Sequence, residues 1–127
     1  MSRLLDELDS RFRPQAFELI ARCIEAGIQV MIITTSRTIQ EQQEAVDRGV
    51  SWTMNSKHLP QPPEQKSLAL DIAPFDTFQL HGPDKLQWNG DDPVWLKIGL
   101  IGQSIGLKWG VIKNNKQIDP GHFEHVI

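Results

Sequence analysis

Three of the four histidines and one aspartate lie in segments whose composition suggests a reactive site. His58 occurs in NSKHLP, and His122 and His125 occur in DPGHFEH. Asp71 interrupts SLALDIAP, which is otherwise almost entirely apolar. A carboxylate in a half-buried strand is costly unless it is paired, hydrogen-bonded or bound to a cation. Asp71 is therefore a candidate metal ligand, and hydrogen bonding to the backbone or to an arginine is the alternative.

A zinc site would suit these residues. The chain has a single cysteine, so histidine and carboxylate side chains would have to hold a metal. Catalytic zinc takes three nitrogen or oxygen ligands and keeps a fourth position for water. His58, Asp71 and His122 would provide such a set from separate elements. Because alternate residues of a strand share a face, His122 and His125 are not expected to be ligands together unless the strand has already ended.

An acidic residue near the last histidines could act as a general base. Asp119 lies three residues before His122, across a Pro-Gly turn that would bring its carboxylate close to an attacking water. Glu124 is the alternative base. Its position on the same strand face as His122 instead favours a hydrogen bond to a ligand histidine.

Helical spacing, prolines and capping residues predict three helices. The predicted helices cover residues 15–27, 38–46 and 92–106. Gly27 ends the first, Ser36 or Thr38 caps the second, and Asp92 caps the third. The apolar face of the first helix is expected to comprise Phe17, Leu19, Ile20, Cys23 and Ile24.

Four segments are predicted to be strands. Residues 28–35 are nearly continuous in apolar character, as in a buried strand, whereas residues 67–74 alternate around Asp71. Short strands are also expected within residues 108–112 and 122–126, with a loop between them.

These elements predict an α+β fold, with helices packed on a small, mainly antiparallel sheet. Residues 50–66 contain several prolines and no periodicity, so they are expected to form a long loop. A chain of 127 residues allows one hydrophobic core. Residues 1–127 are therefore expected to form a single domain, and the protein is expected to be a monomer.

The charge of the chain does not favour a nucleic-acid or membrane partner. The formal net charge is -3, and no basic patch is visible. The N-terminal segment mixes charges of both signs and lacks the apolar stretch of a signal peptide or a membrane span. Synthesis in the cytoplasm, without membrane insertion, is therefore expected.

The remaining histidine, cysteine and tryptophans have ordinary structural interpretations. Cys23 and Trp95 are expected to pack in the core, and His81 is expected in an exposed turn. The tryptophans expected either in the core or in a cleft wall are Trp52, Trp88 and Trp109.

Two groups of residues match the motifs of a known family. The motif Ser-x-His-x-x-Gly-x-Ala-x-Asp is matched in part by Ser56, His58, Ala69 and Asp71. An acidic residue three places before His-Phe-Glu is matched by Asp119, His122, Phe123 and Glu124. An upstream Arg-Thr/Ser-x-x-Glu-Gln segment and a Trp-Gly pair are matched at Arg37, Gln42 and Trp109. The chain thus resembles the D-Ala-D-Ala carboxypeptidase and L-alanyl-D-glutamate endopeptidase group of zinc peptidases (the M15 class), above all its phage endolysin branch.

The chain departs from the first motif in one segment. Twelve residues separate His58 from Asp71, where the motif has six, so residues 59–67 contain an inserted loop. Ser67 stands where the family has glycine. A longer loop costs little chain entropy, so the insertion is expected to be tolerated, and it could reshape the substrate cleft. In the second motif the proline has moved forward one place, but the spacing between the acidic residue and the histidine is unchanged.

The resemblance implies a role for each matched residue. Zn²⁺ would be held by His58, Asp71 and His122. Asp119 would be the general base, and Arg37 would polarise the scissile carbonyl or hold the developing oxyanion. Substrate-binding or supporting roles would fall to Ser56, Gln42, Glu124 and Trp109. Gln42 could instead be a solvated helix residue.

The resemblance also implies a function. The chain would be a zinc-dependent peptidase of a phage or prophage that hydrolyses an amide bond in peptidoglycan stem peptides, first of all the L-Ala–D-Glu bond. One alternative is a D,D-carboxypeptidase or dipeptidase of the same fold. Another is a catalytically inactive wall-peptide-binding protein or a phage structural protein. No separate cell-wall-binding domain is recognisable, and the enzyme would reach the wall through a separate factor such as a holin.

Overall fold

The computed structural model describes residues 2–51, 53–75 and 84–127, so the predictions for Trp52 and His81 fall outside the described residues. The described helices are a short 3-10 helix at Leu5–Glu7, α1 at Arg13–Glu25, α2 at Ile39–Asp47 and α3 at Val94–Ser104. The described strands are β1 at Val30–Thr34, β2 at Ala69–Pro74, β3 at Lys108–Trp109, β4 at Ile112–Lys113, β5 at Lys116–Gln117 and β6 at His122–Glu124. None of the described helices is long and apolar enough to cross a membrane.

An antiparallel sheet with the strand order β1-β2-β6-β3 forms the centre of the fold. Asp71 on β2 pairs with His122 on β6, and Ala69 pairs with Glu124. On the other side of β2, Thr34 of β1 lies opposite Asp71 after an irregularity in the register. The predicted α+β fold with a mainly antiparallel sheet is confirmed, and the register places two predicted ligands side by side.

The hydrophobic core packs one face of the sheet against α1 and α3. Leu70 and Ile72 of β2, Leu19 of α1 and Phe123 of β6 are at most 1% exposed. Burying such a side chain contributes about 1.5–3 kcal/mol relative to leaving it exposed. Since alternate strand residues point to opposite faces, this packing directs Asp71 away from the core.

Two glycines of α3 allow the sheet to approach the helix closely. A Cβ atom at Gly99 would overlap the indole ring of Trp109, and a Cβ atom at Gly102 would overlap the ring of Phe123. Glycine lowers helix propensity by about 1 kcal/mol relative to alanine. In this helix the cost is offset by the room that the two aromatic rings need.

Helix α1 buries a narrower face than the predicted one: Leu19 and Cys23 are buried as expected, but two other predicted residues are not. Phe17 and Ile24 were assigned to the apolar face, but their side chains are 49% and 60% exposed. The α1 residues that reach the core are Ala16, Leu19 and Cys23, a spacing of three and four residues. Apolar character alone therefore predicted too wide a buried face. The small residue Ala16 packs in the core, whereas Phe17 does not.

Strand β1 is also less buried than its composition predicts. It lies at the edge of the sheet, and its first four residues are only partly buried. An edge strand has a neighbour on one side only, so a continuous apolar run did not indicate a central position here.

The loop predicted between the last two strands of the sheet contains an additional hairpin, formed by β4 and β5. Its turn residues Asn114 and Asn115 have φ angles of 54° and 61°. Two-residue hairpin turns require this left-handed region, and asparagine tolerates it. The Asn-Asn pair is the sequence signal that could have predicted the hairpin.

The predicted caps of the second and third helices are confirmed. Thr38 forms a capping box with Glu41 at the start of α2. At α3, Asp92 Oδ1 accepts a hydrogen bond from the backbone N–H of Val94 at 2.9 Å. The Thr38 cap, which directly follows Arg37, fixes the start of α2 at Ile39.

Candidate active site

The three predicted metal ligands converge beside the β2–β6 pair. His122 Nδ1 lies 2.9 Å from Asp71 Oδ1, and His58 Nε2 lies 3.2 Å from Asp71 Oδ2. One ligand atom from each residue lies within 4.8 Å of the other two. Atoms bound at about 2.0–2.2 Å to one tetrahedral zinc ion are separated by roughly 3–4 Å. The three donors are therefore close enough together to share an ion.

The orientation of His58 is fixed by the backbone. Its Nδ1 lies 3.0 Å from the carbonyl oxygen of Thr35, which can only accept, so Nδ1 carries the hydrogen. Nε2 then presents a lone pair to Asp71. This nitrogen is buried and makes no hydrogen bond to the described part of the chain. A buried ring nitrogen without a partner is unusual unless a cation occupies the adjacent space.

Glu124 fixes the orientation of His122 in the same way. Its Oε1 lies 2.9 Å from His122 Nε2 and accepts the hydrogen of that nitrogen, so Nδ1 is left to face Asp71. A carboxylate behind a ligand histidine is the usual support of a metal-binding imidazole. Both histidines thus turn a ring nitrogen toward the same carboxylate, and a cation at this point, either a proton or a metal ion, would satisfy the cluster.

The electrostatics of the cluster also favour positive charge. Burial alone would raise the pKa of Asp71, but the two neighbouring histidines hold it below its ordinary value. Burial opposes protonation of His122, yet its hydrogen bonds to Asp71 and Glu124 raise its pKa to about 10. A site that holds a proton so strongly is negative enough to attract a metal cation.

Asp119 lies on the same cleft as the three ligands. Burial raises its pKa above the ordinary value, and the charge of Asp71 adds to this effect. The turn that carries it is fixed at both ends, since the N–H of Asp119 donates to Gln117 Oε1 at 3.0 Å and the N–H of His122 donates to the carbonyl of Asp119 at 3.2 Å. A partly buried carboxylate with a raised pKa is suited to accept a proton.

Arg37 reaches the cleft from the segment between β1 and α2. Its backbone N–H donates to the carbonyl of His58 at 3.0 Å, and its Nη1 donates to Gln42 Oε1 at 3.1 Å. Gln42 is fully buried, and its Nε2 donates to Ser51 Oγ and to the carbonyl of Thr53 at 2.8 and 2.7 Å. Gln42 is therefore not a solvated helix residue, because it connects Arg37 to the loop that forms the cleft wall.

Ser56 and Trp109 occupy supporting positions. Ser56 Oγ accepts the backbone N–H of His58 at 3.2 Å, and it also lines the cleft. Trp109 is not among the residues found to line the cleft. Its Nε1 donates to the carbonyl of Pro120 at 2.7 Å, so it holds the turn between Asp119 and His122 from behind.

The inserted loop packs on the N-terminal segment. Arg11 Nη2 donates to the carbonyl of Pro62 at 3.1 Å, and Lys66 Nζ donates to the carbonyl of Asp6 at 2.7 Å. Residues 59–67 are not among those found to line the cleft of the metal ligands; part of the loop lines a separate groove that also contacts Arg37. Among the described residues, the insertion therefore contributes none to the lining of the cleft that contains the predicted ligands.

Ser67 replaces the glycine of the motif without disturbing β2. It is fully buried, and its Oγ accepts the N–H of Ala69 at 3.1 Å and donates to the carbonyl of the same residue at 2.8 Å. The hydroxyl group is satisfied locally, so this departure from the motif is compatible with the position of Asp71.

His125 lies on the opposite face from His122, as the strand alternation predicts. Its Nδ1 is 2.7 Å from Gln15 Oε1, and its ring lies 6.3 Å from that of Phe12. His125 is a packed residue of the α1 side and does not approach the metal ligands. The expectations that Cys23 and Trp95 lie in the core are also confirmed, whereas Trp88 is 58% exposed and lines an adjoining cavity.

The ligands, Asp119 and Arg37 together line a cleft of about 570 Å³. Two further lining residues, Lys57 and Lys108, were missed by the sequence analysis. Lys57 directly precedes His58, which was an available signal. The position of Lys108 opposite Glu124 depends on the β3–β6 register, which the sequence did not predict.

An N/O donor set beside a carboxylate of raised pKa and an arginine is the arrangement of a hydrolase that acts on carbonyl compounds. The family model of the phage L-alanyl-D-glutamate peptidases matches residues 2–126, and the chain belongs to this family. The fold is similar to the crystal structure of the Serratia marcescens L-Ala D-Glu endopeptidase ChiX, with 19% identity and a TM-score of 0.66 over 96% of this chain and 83% of that one. No curated protein sequence matches the chain significantly.

Proposed function

We propose that the chain is a zinc-dependent endopeptidase that hydrolyses the L-Ala–D-Glu bond of peptidoglycan stem peptides. The observation that carries the proposal is the convergence of His58 Nε2, Asp71 and His122 Nδ1, with the other ring nitrogen of each histidine held by Thr35 or Glu124. Membership of the phage L-alanyl-D-glutamate peptidase family supports the choice of substrate.

The residues present fit zinc better than magnesium or calcium. Two imidazole nitrogens and one carboxylate form the three-ligand set of catalytic zinc sites, whereas magnesium and calcium prefer oxygen ligands. Bound zinc supplies a Lewis acid that activates water and polarises a carbonyl group. Glu124 would hold His122 in the tautomer that binds the ion.

Asp119 and Arg37 would carry out the proton transfer and the charge stabilisation. Asp119 would take the proton of the attacking water and then deliver it to the leaving amine, because its raised pKa lets it hold the proton between the two steps. Arg37 would bind the carbonyl oxygen as negative charge develops on it, with its guanidinium group held by Gln42.

Digestion of defined muropeptides tests the proposal. The zinc-loaded protein should release fragments that begin with D-Glu, identified by mass. EDTA should abolish the cleavage, zinc should restore it, and magnesium should not, because magnesium requires octahedral oxygen coordination. Cleavage between D-alanine residues, or full activity in protein shown by elemental analysis to lack zinc, would contradict the proposal.

Access to the wall would require a second protein. Release by a separate factor such as a holin fits membership of the phage L-alanyl-D-glutamate peptidase family. Expression in a susceptible bacterium should cause lysis only when a holin is co-expressed. Lysis without the holin would contradict this route.

A further inference from the structure

The cleft continues past the metal ligands into a second cavity of different character. The first cavity, here called the polar lobe, is the cleft of about 570 Å³ already described. The second cavity, here called the apolar lobe, measures about 490 Å³ and includes Ile33, Trp88, Trp95 and Ile118 among its lining residues. Both lobes are lined by Asp71 and Asp119. A substrate whose scissile bond lies beside Asp119 would therefore place one of its halves in each lobe.

The polar lobe carries an excess of lysine around Glu124. Lys57 Nζ lies 4.0 Å from Glu124 Oε2, and Lys108 lies opposite Glu124 in the β3–β6 register. Glu124 already accepts a hydrogen bond from His122. Two lysines thus adjoin one carboxylate that is engaged elsewhere. Lys57 Nζ also donates to the carbonyl of His125 at 3.4 Å, which leaves further N–H donors of this ammonium group for an anionic group of a ligand.

The apolar lobe lacks such a concentration of positive charge. Trp88 and Ile118 are 58% and 39% exposed there, and among its described lining residues Lys116 is the one cation. A methyl group or another small apolar group would fit this surface better than a carboxylate would.

The two parts of a substrate on either side of an L-Ala–D-Glu bond also differ in polarity and charge. The acyl half ends in alanine, whose side chain is a methyl group. The amine half is a glutamate, which has two carboxyl groups, of which at most one continues the peptide. Unless it is amidated, the other carboxyl group is a free carboxylate close to the nitrogen of the scissile bond.

We infer that Lys57 and Lys108 bind the free carboxylate of the glutamate, and that the substrate lies with D-Glu in the polar lobe and L-Ala in the apolar lobe. This inference rests on the proposed function and adds the direction of the substrate and the residues that select it. The two lysines act on substrate binding, so their effect should appear mainly in KM.

Two peptides test the inference: L-Ala-γ-D-Glu-L-Lys with the α-carboxylate free, and the same peptide with that carboxylate converted to an amide. The zinc-loaded wild-type enzyme should cleave the carboxylate peptide with a kcat/KM about tenfold higher, as expected for one charge-assisted contact. The preference should decrease as NaCl is added, because salt screens exposed charges.

Variants connect the preference to the two lysines. Lys57→Met/Lys108→Met should lose the preference, because KM should rise more for the carboxylate peptide than for the amide peptide. Lys57→Arg/Lys108→Arg should keep the preference. Lys116→Met, which removes the lysine of the apolar lobe, is the matched control and should also keep it.

Three results would overturn the inference: equal cleavage of the two peptides by wild-type enzyme, a preference that is insensitive to salt, or a preference that persists in Lys57→Met/Lys108→Met. Cleavage of neither peptide by zinc-loaded wild-type enzyme is a distinct result. It would overturn the proposed function, and with it the assignment of the lobes.

Discussion

Asp71 and Asp9 are two aspartates whose side chains are largely removed from solvent, and their carboxylates have different hydrogen-bonding partners. Asp9 is fully buried and accepts three hydrogen bonds from Arg11, one each from its backbone N–H, Nε and Nη2, at 2.8, 2.9 and 2.9 Å. Asp71 faces two imidazole nitrogens, one of which has no hydrogen bond of its own. One carboxylate is fully neutralised within the chain, and the other is not.

The difference separates a structural ion pair from a binding site. Arg11 is a permanent cation with a fork of donors that matches a carboxylate, so the Asp9 pair is complete and leaves no room for a ligand. Histidine can offer a lone pair to a metal ion instead of a hydrogen, and the other ring nitrogen of each histidine at Asp71 already has an acceptor, Thr35 or Glu124. Two further acidic residues, Asp119 and Glu124, line the same cleft as Asp71.

Replacing Asp119 should have the largest effect on turnover. Asp119→Asn keeps the size of the side chain but removes the proton acceptor, so kcat should fall by about 10²-fold or more. Zinc content should be unchanged, because Asp119 is not one of the three proposed ligands. Rates of muropeptide cleavage and elemental analysis measure the two quantities.

Asp91→Asn is the control for this change, because Asp91 is an exposed aspartate that is not among the residues lining the cleft. It should leave both quantities unaltered. Turnover of Asp119→Asn at the wild-type rate would exclude Asp119 as the base.

Replacing Glu124 should weaken the metal site without removing a ligand. Glu124→Gln removes the charge behind His122, which lowers the basicity of the imidazole, and zinc affinity should fall by about 10- to 100-fold. Competition with a chromophoric chelator measures the affinity. Glu25→Gln, at an exposed position of α1, should bind zinc like the wild type. Unchanged affinity in Glu124→Gln would show that the carboxylate does not support the ligand.

Replacing Gln42 should affect catalysis through Arg37. Gln42→Leu removes the acceptor of the Arg37 guanidinium and leaves the polar groups of Ser51 and Thr53 without their partner. We expect a decrease in kcat of about fivefold to tenfold and a loss of stability of about 1–3 kcal/mol. Kinetics and urea denaturation measure these effects.

Gln43→Leu, at the neighbouring exposed position, is the control and should leave kcat unchanged. A Gln42→Leu enzyme with normal kcat would mean that Arg37 needs no such support.

Replacing Asp9 should leave turnover unchanged and alter stability against acid. Hydrogen bonds from Arg11 hold the pKa of Asp9 below its ordinary value of 3.8. The stabilisation is therefore fully present above that ordinary value and is lost as the pH falls toward the lower pKa of the folded state. Asp9→Asn should lower Tm by a few degrees at neutral pH and should show a smaller further decrease below pH 3.8 than the wild type.

Asp6→Asn, an exposed neighbour, should follow the wild-type curve at every pH. Identical acid profiles for Asp9→Asn and the wild type would show that this carboxylate does not depend on Arg11.

The sequence predicted the residues that converge at the candidate metal site because unusual residue types occur in unusual places. Asp71 in an apolar strand is costly without a partner, and the strand periodicity correctly separated His122 from His125. The turn before His122 indicated Asp119, and the family motifs added Arg37; both residues line the cleft, as the roles assigned to them require. The alternation of residue types along a strand and the spacing within a motif are local properties, so they can be identified directly in a sequence.

The features that the sequence did not predict depend on contacts between distant segments. The buried face of α1 is set by the sheet against which it packs, so Phe17 stays exposed although it is the largest apolar residue of the helix. The roles of Gln42 and Lys108 arise from the loop at Ser51 and from the register with Glu124. Neither partner is close in sequence, so local patterns contain no information about them.

The two glycines of α3 have a consequence for how relatives of this chain can diverge. Gly102 leaves room for Phe123, the residue between His122 and Glu124, and Gly99 leaves room for Trp109. Each glycine and its aromatic partner should therefore change together in evolution: a relative with alanine at position 102 should have a smaller side chain at position 123. Substitution of the glycine alone would push β6 outward and carry a metal ligand with it.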